Sequence, residues 1–338
     1  MPDHIQQQFS FKAFPTITPK QGLWEIQIQQ FRLALSYCSS KRQTFTALSL
    51  TQQNDWSIQL NKIILKAISI AVAVILTCTA ALADGFPAEG RPTVMITGSN
   101  ASHGLAFTEE YAKLGWNVIA TCRTPDEADR LNALAAENDN VVVEKLDIMS
   151  DEDIAALVAK YEGVPIDVLL NNAAINGFRH GISTFGKIDY DWFETQLIVN
   201  TIGQLKVSEA FQDNVEMSDQ KKIISMTSTG ASITTLEVPF NMGYRASKTA
   251  LNMTMHGYSI YLKKKGMIVG IIGPGTVDTE DYMNAADPDS VPRNYKMMMK
   301  AGRLVPRTAI NDMIGLIDIM TIEDSGVFYQ WDGEVLPW

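Results

Sequence analysis

Pro92-Thr93-Val94-Met95-Ile96-Thr97-Gly98-Ser99-Asn100-Ala101-Ser102-His103-Gly104 is the stretch that decides the fold. It opens as a short apolar run, turns between glycines at 98 and 104, and continues from Leu105 to Leu114 with helical spacing. A strand, a glycine-bearing turn and a helix N-terminus together form an anion site. The first N–H groups of a helix lack partners, and its dipole is positive at that end. Gly98, Asn100, Ser102, His103 and Gly104 are therefore candidate pyrophosphate contacts, although a loop histidine is more often merely exposed.

Downstream, apolar strand runs at 92–97, 117–122, 140–146, 166–170, 222–227 and 267–272 alternate with helical stretches, and a late strand near Val327 to Gln330 would close the edge. Such alternation predicts an α/β chain: a Rossmann-type, doubly wound parallel sheet covered by helices on both faces, in a single catalytic domain. The ligand crevice is then expected at the strand C-terminal ends.

The chemistry is carried by Tyr244-Arg245-Ala246-Ser247-Lys248, with Ser228 sixteen residues before the tyrosine. Residues four apart share a helix face, so an ammonium can sit beside a phenol and draw its pKa from about 10 toward neutrality. A serine hydroxyl at the same place would hold a carbonyl oxygen in line with that phenol. Singly, a helix tyrosine packs, a helix lysine is solvated and a strand-end serine caps. Their order in one chain points to hydride chemistry on a carbonyl.

Residues 92–338 resemble the short-chain dehydrogenase/reductase family, and Tyr244 to Met253 with the ending Gly333 to Trp338 resembles its C-factor and sniffer-like carbonyl reductase branch. The family's marks stand in order: Thr97-Gly98 with Gly104, Asn171-Asn172-Ala173-Ala174, Asn200, Ser228, Tyr244, Lys248, and Pro274-Gly275-Thr276-Val277-Asp278-Thr279. The resemblance implies that Lys248 binds a nicotinamide ribose, that Asn200 holds a water linking Lys248 to solvent, and that Asp147, with Ile148 beside it, meets the adenine. It further implies that Asn172 backs the ribose and nicotinamide, that Pro274, Gly275, Val277 and Thr279 complete the cofactor site, and that the chain forms homodimers or homotetramers. Two departures stand out. Ser102 replaces a usual glycine, and the Ser228 to Tyr244 gap is a few residues longer than the commonest spacing, suggesting a different loop over the substrate.

Cofactor choice is legible after the second strand run. An acidic residue there would hold both ribose hydroxyls and repel a 2′-phosphate; this chain has Arg123. Arginine suits a phosphate dianion, so NADP(H) is favoured over NAD(H). The bland reading of Arg123 is a surface residue near the next helix. For substrate, Asp281 to Arg303 falls where the family places a lid and carries Tyr282, Met283, Tyr295 and Met297-Met298-Met299. Methionines adapt to irregular apolar shapes, which suggests an apolar or aromatic ketone or aldehyde, or else simple packing of the lid. A nucleotide-sensing binding protein on the same fold is the alternative function; such a protein typically loses the tyrosine or lysine, and both are kept here.

The chain of 338 residues exceeds one Rossmann-type domain of roughly 250, and the surplus is at the front. Residues 1–59 are rich in Gln, Ser and Thr without a sustained period and read as a weakly structured leader, or a mis-assigned start with translation beginning near Leu60. Residues 60–83 place Lys62 and Lys66 before an uncharged run ending Ala81-Leu82-Ala83, the pattern of a signal peptide or of an uncleaved membrane anchor, with a buried core helix as the plain alternative. Basic residues before that run and Asp84 and Glu89 after it put the catalytic domain, 84–338, on the exported side, periplasmic in a bacterium. That placement sits in tension with the cytosolic location of pyridine nucleotides, and a cytoplasmic enzyme is the alternative. A net charge of −10 argues against nucleic acid as a partner, and the acidic residues on helical stretches, among them Glu109, Glu110 and Asp151 to Asp153, read as solvated faces. Cys122 has no disulfide partner within the domain and reads as a buried strand residue; no metal site is expected.

Overall fold

A computed structural model describes residues 86–176 and 185–338. The expected leader, 1–59, and the apolar segment, 60–83, lie outside the described residues. Strand β1 (Thr93–Thr97) is buried along its whole length, as an apolar run must be when helices cover both faces of a parallel sheet. With β2 (Asn117–Cys122), β3 (Val141–Lys145), β4 (Val168–Asn171), β5 (Lys222–Met226), β6 (Ile268–Gly273) and a late edge strand (Phe328–Gln330), it forms a seven-stranded sheet. The two short strands between β6 and that edge, β7 (Thr276–Val277) and β8 (Leu304–Val305), pair with each other, so the edge strand is β9.

The spatial order is β3-β2-β1-β4-β5-β6-β9, and every pairing in the sheet is parallel. Chain direction across the sheet reverses between β1 and β4, where Val94 pairs with Val168 and Ile96 with Leu170. A parallel sheet opens its ligand crevice at this switch point. The phosphate turn after β1 and the two asparagines at the end of β4, Asn171 and Asn172, therefore meet at it.

Helices α1 (Ser102–Lys113), α2 (Asp129–Glu137) and α3 (Asp151–Lys160) cross between the first four strands. Helix α1 starts three residues earlier than the apolar spacing indicated, because its first turn is the phosphate turn itself. Ser150 caps α3, its Oγ accepting from Asp153 N–H at 3.1 Å. Helix α4 (Tyr190–Leu197) runs through a π-helical turn, Ile198–Gly203, into α5 (Gln204–Ala210), and the short α6 (Gln212–Glu216) follows. Helix α7 (Met242–Leu262) carries Tyr244 and Lys248, α8 (Arg293–Lys300) lies between β7 and β8, and α9 (Ala309–Ile319) follows β8.

The core lies in two layers. Phe107 and Tyr111 of α1 pack with Ile310 and Met313 of α9 on one face of the sheet. On the other, Leu157 of α3, Val207 of α5, and Leu251 and Met255 of α7 pack together. The acidic faces are more tied down than composition suggested. Glu109 pairs with Arg307, and Asp153 holds Lys145 at 3.0 Å. Cys122 is free and buried, as expected.

Candidate active site

The phosphate turn depends on two glycines. Gly98 has φ +70°, a left-handed conformation that costs an L-residue strain, and a Cβ there would come within 3.0 Å of Ala173 Cα. At Gly104 a Cβ would stand 2.1 Å from the Gly98 carbonyl oxygen and 2.7 Å from Asn172 Nδ2, so no side chain fits. Ser102, between them, is also left-handed, with φ +52°. A glycine would hold that conformation more easily.

Asn172, just after β4, locks this turn. Asn172 Nδ2 donates to the carbonyls of Thr97 at 2.9 Å and Gly98 at 3.2 Å. The backbone N–H groups of Asn172 and Ala173 both donate to Thr97 Oγ1 at 3.0 Å. The Asn172 amide is thus committed to β1, and the residue faces a ligand from behind rather than reaching for it. Asn171 Nδ2 donates to Ser208 Oγ at 2.8 Å, bracing β4 against α5.

A cavity of about 540 Å³ opens at this switch point. Gly98, Asn100, Ser102, His103, Arg123, Asp147, Ile148, Asn172, Ser228, Tyr244, Lys248, Pro274 and Gly275 all line it. Four expected residues do not. Gly104 packs under the turn. Asn200 is buried in the π-helical turn, its Nδ2 donating to the Ile175 carbonyl at 2.8 Å and Ser247 Oγ at 3.0 Å while its Oδ1 accepts from Ile175 N–H at 2.7 Å. Its side chain therefore ties the loop after β4 to α7. Val277 is turned into the core by the pairing of β7 with β8, and the carbonyl of buried Thr279 accepts from Arg307 at 2.9 Å.

Wall residues that the sequence did not reveal include Ala174, Ile175 and Asn176 beyond β4, Trp192 and Thr195 of α4, and Val199. Trp192 and Thr195 are three apart on one helix, so their shared face was readable, but nothing local showed that α4 would pack beside α7. The methionines at 283 and 297–299 line no part of the cavity, and Met283, Met297 and Met299 are exposed. An apolar substrate cannot be argued from them.

Tyr244 and Lys248 stand one helical turn apart on α7, both facing the cavity. The Tyr244 phenol faces the same cavity as Ser228, whose side chain acts to lower its pKa, and Ser228 Oγ accepts from Gly230 N–H at 3.1 Å, which fixes it after β5. Lys248 is 1% exposed and its Nζ donates to the Met226 carbonyl at 2.8 Å. Burial pushes its pKa down to about 7. Burial also pushes the Tyr244 phenol up, with the Ser228 side chain opposing. This corrects the expectation of an acidified phenol. In the chain by itself the cost of burying charge dominates both groups, which leaves Tyr244 protonated, the form that donates.

Around the crevice the groups fit a dinucleotide. The turn offers helix N–H groups, and Arg123 is exposed at the edge with no ion pair among the described residues. Asp147 lines the wall with one carboxylate oxygen taken by Met149 N–H at 2.9 Å. Among the described residues no cluster of side chains could hold a metal ion, and no helix is long and apolar enough to cross a membrane.

Comparison with known proteins agrees with this geometry. The family model described as short chain dehydrogenase matches residues 92–289. An uncharacterized oxidoreductase of Schizosaccharomyces pombe is 32% identical over 250 residues, 72% of this chain and 96% of that protein. The C-signal protein of Myxococcus xanthus is 27% identical over 174 residues, 52% of this chain and 93% of that one. Among solved structures, an NADPH-bound carbonyl reductase from chicken fatty liver superposes with a TM-score of 0.63 at 27% identity, covering 73% of this chain and 100% of its own. Carbonyl reductase Sniffer of D. melanogaster, at 22% identity, TM-score 0.60 and the same coverage, shares the fold. With its family model spanning more than half of the sequence and the motif residues gathered at one crevice, the chain belongs to the short-chain dehydrogenase/reductase family of oxidoreductases.

Proposed function

We propose that this chain is an NADP(H)-dependent oxidoreductase that interconverts a carbonyl compound and its alcohol, with Tyr244 as the acid/base. The observation that carries this is the convergence of Ser228, Tyr244 and buried Lys248 on the cavity that the phosphate turn opens. When bound, the reduced nicotinamide supplies the hydride. Ser228 orients the carbonyl oxygen, Tyr244 gives it a proton, and charged Lys248 favours the tyrosinate left behind. The NADPH bound in the chicken carbonyl reductase supports the same cofactor. Ile175, Trp192 and Val199 in the cavity lining favour an apolar or aromatic carbonyl.

The test is NADPH consumption by the full chain across a panel of aldehydes and ketones. Turnover of at least one supports the enzyme; tight NADPH binding with no turnover, unaltered by changes at Tyr244, favours a nucleotide sensor. Arg123→Glu, read as the ratio of kcat/KM for NADPH to that for NADH, should lower the ratio by about 10- to 100-fold, the worth of one charge-assisted bond to a phosphate. An unchanged ratio would place the 2′-phosphate elsewhere.

The pH dependence follows from Lys248. A pKa of about 7 leaves it charged below that pH and neutral above it. An anionic nucleotide prefers the charged form, so kcat/KM for NADPH should fall about tenfold per pH unit above 7, and Lys248→Met should flatten the profile. A native profile that is flat from pH 6 to 9 would contradict this role.

Exposed Ile202, Met253, Ile260 and Tyr261 support assembly as a homodimer or homotetramer. Export or anchoring through 60–83, with the cytoplasm as the alternative, rests on sequence alone, and cell fractionation decides it.

A further inference from the structure

Every glycine-rich turn of this kind relies on close backbone approach to its ligand, and here a Cβ stands at Ser102, where the backbone is left-handed. The next residue, His103, lines the same cavity. Its Nδ1 lies 3.3 Å from Ser102 Oγ, and its Nε2 is shielded from solvent and has no hydrogen-bond partner among the described residues. A shielded polar nitrogen without a partner is costly to bury, so its retention in a cleft wall calls for a ligand. Burial, and behind it the charge of Lys248, hold the imidazole's pKa down to about 4, so the ring is neutral at physiological pH. His103 and Lys248 line the same cavity, and the Lys248 charge is the one that acts on the ring.

Resting on the dinucleotide reading above, we infer that His103 is a cofactor-positioning residue whose Nε2–H donates to the nicotinamide-side phosphate of the diphosphate bridge, with the Ser102 hydroxyl holding Nδ1 as acceptor. A neutral imidazole has one donor and one acceptor nitrogen. If Ser102 Oγ–H donates to Nδ1, the proton sits on Nε2 and faces the crevice. The pair thereby supplies from a side chain the contact that the Cβ of Ser102 hinders the backbone from making. The role is one of placement: the nicotinamide half is set relative to Tyr244, and the imidazole takes no part in proton transfer.

The experiment is calorimetric titration of the full chain and its His103→Phe and His103→Gln variants with NADPH and with adenosine 2′,5′-bisphosphate, which has neither the diphosphate bridge nor the nicotinamide. His103→Phe should weaken NADPH about tenfold or more, the loss of one hydrogen bond to a charged group. The bisphosphate should bind within about twofold of native, and glutamine, whose amide can reach the same point, should restore most of the NADPH affinity. His103→Ala replaces the phenylalanine variant if melting shows that the latter does not fold. NADPH affinity unchanged by loss of the imidazole would overturn the inference, as would a parallel loss of both ligands that glutamine does not repair. A native chain that fails to bind NADPH would instead overturn the cofactor reading itself.

Discussion

Tyr244→Phe should bind NADPH as the native chain does and lose carbonyl reduction by about 100- to 10,000-fold, the range for a positioned proton donor. The substitution removes one oxygen and keeps the ring that fills its place on α7. In the native chain the phenol shares its cavity with Ser228, and burial keeps it protonated, so it is poised as an acid before any substrate arrives. Because the loss is made only in the transition state, kcat and kcat/KM should fall together while the nucleotide Kd stays put. Stopped-flow measurement of NADPH oxidation beside a binding titration separates the two. Residual turnover within threefold of native would assign proton donation to another group.

Gly104→Ala should have the largest effect on the folded state. A methyl at 104 would lie 2.1 Å from the Gly98 carbonyl oxygen and 2.7 Å from the Asn172 amide. The first of these is backbone and cannot rotate away. Either α1 shifts out or the turn after β1 opens, and both break the Asn172 bonds to Thr97 and Gly98. Overpacking of this kind costs about 1–3 kcal/mol, which for a domain of this size lowers Tm by about 2–10 °C. Nucleotide affinity should fall beyond tenfold, since the N–H groups of the turn no longer converge. Thermal melting with and without NADPH checks both parts; a variant with native Tm and native stabilisation by NADPH would show that the turn has room the geometry denies.

The two glycines illustrate what could be read from the sequence. Strand-turn-helix patterning located the phosphate turn, and the alternating apolar runs located six strands and the late edge strand, because parallel strands buried on both faces must be apolar along their length. Tyr244 and Lys248 were legible because helix periodicity places residues four apart on one face, and Ser228 because it ends the fifth strand run. Other features depended on long-range packing. Asn200 is spent on Ile175 because the α4–α5 helix passes through a π-helical turn, which no local propensity announces. Trp192 and Thr195 reach the cavity because α4 packs along α7. The protonation of Tyr244 ran opposite to expectation because pairing with Lys248 was weighed without the cost of burying both groups. The resemblance places Val277 at the cofactor site, and the pairing of β7 with β8, which buries its side chain, could not be read locally.

A crystal structure of the full chain with NADPH bound puts the whole assignment at risk. It should place the diphosphate over the turn between Gly98 and Gly104 and bring the nicotinamide ring beside the Tyr244 hydroxyl, with Ser228 across from it. A nucleotide seated outside the β1–β4 crevice, or a ring turned away from Tyr244, would contradict it.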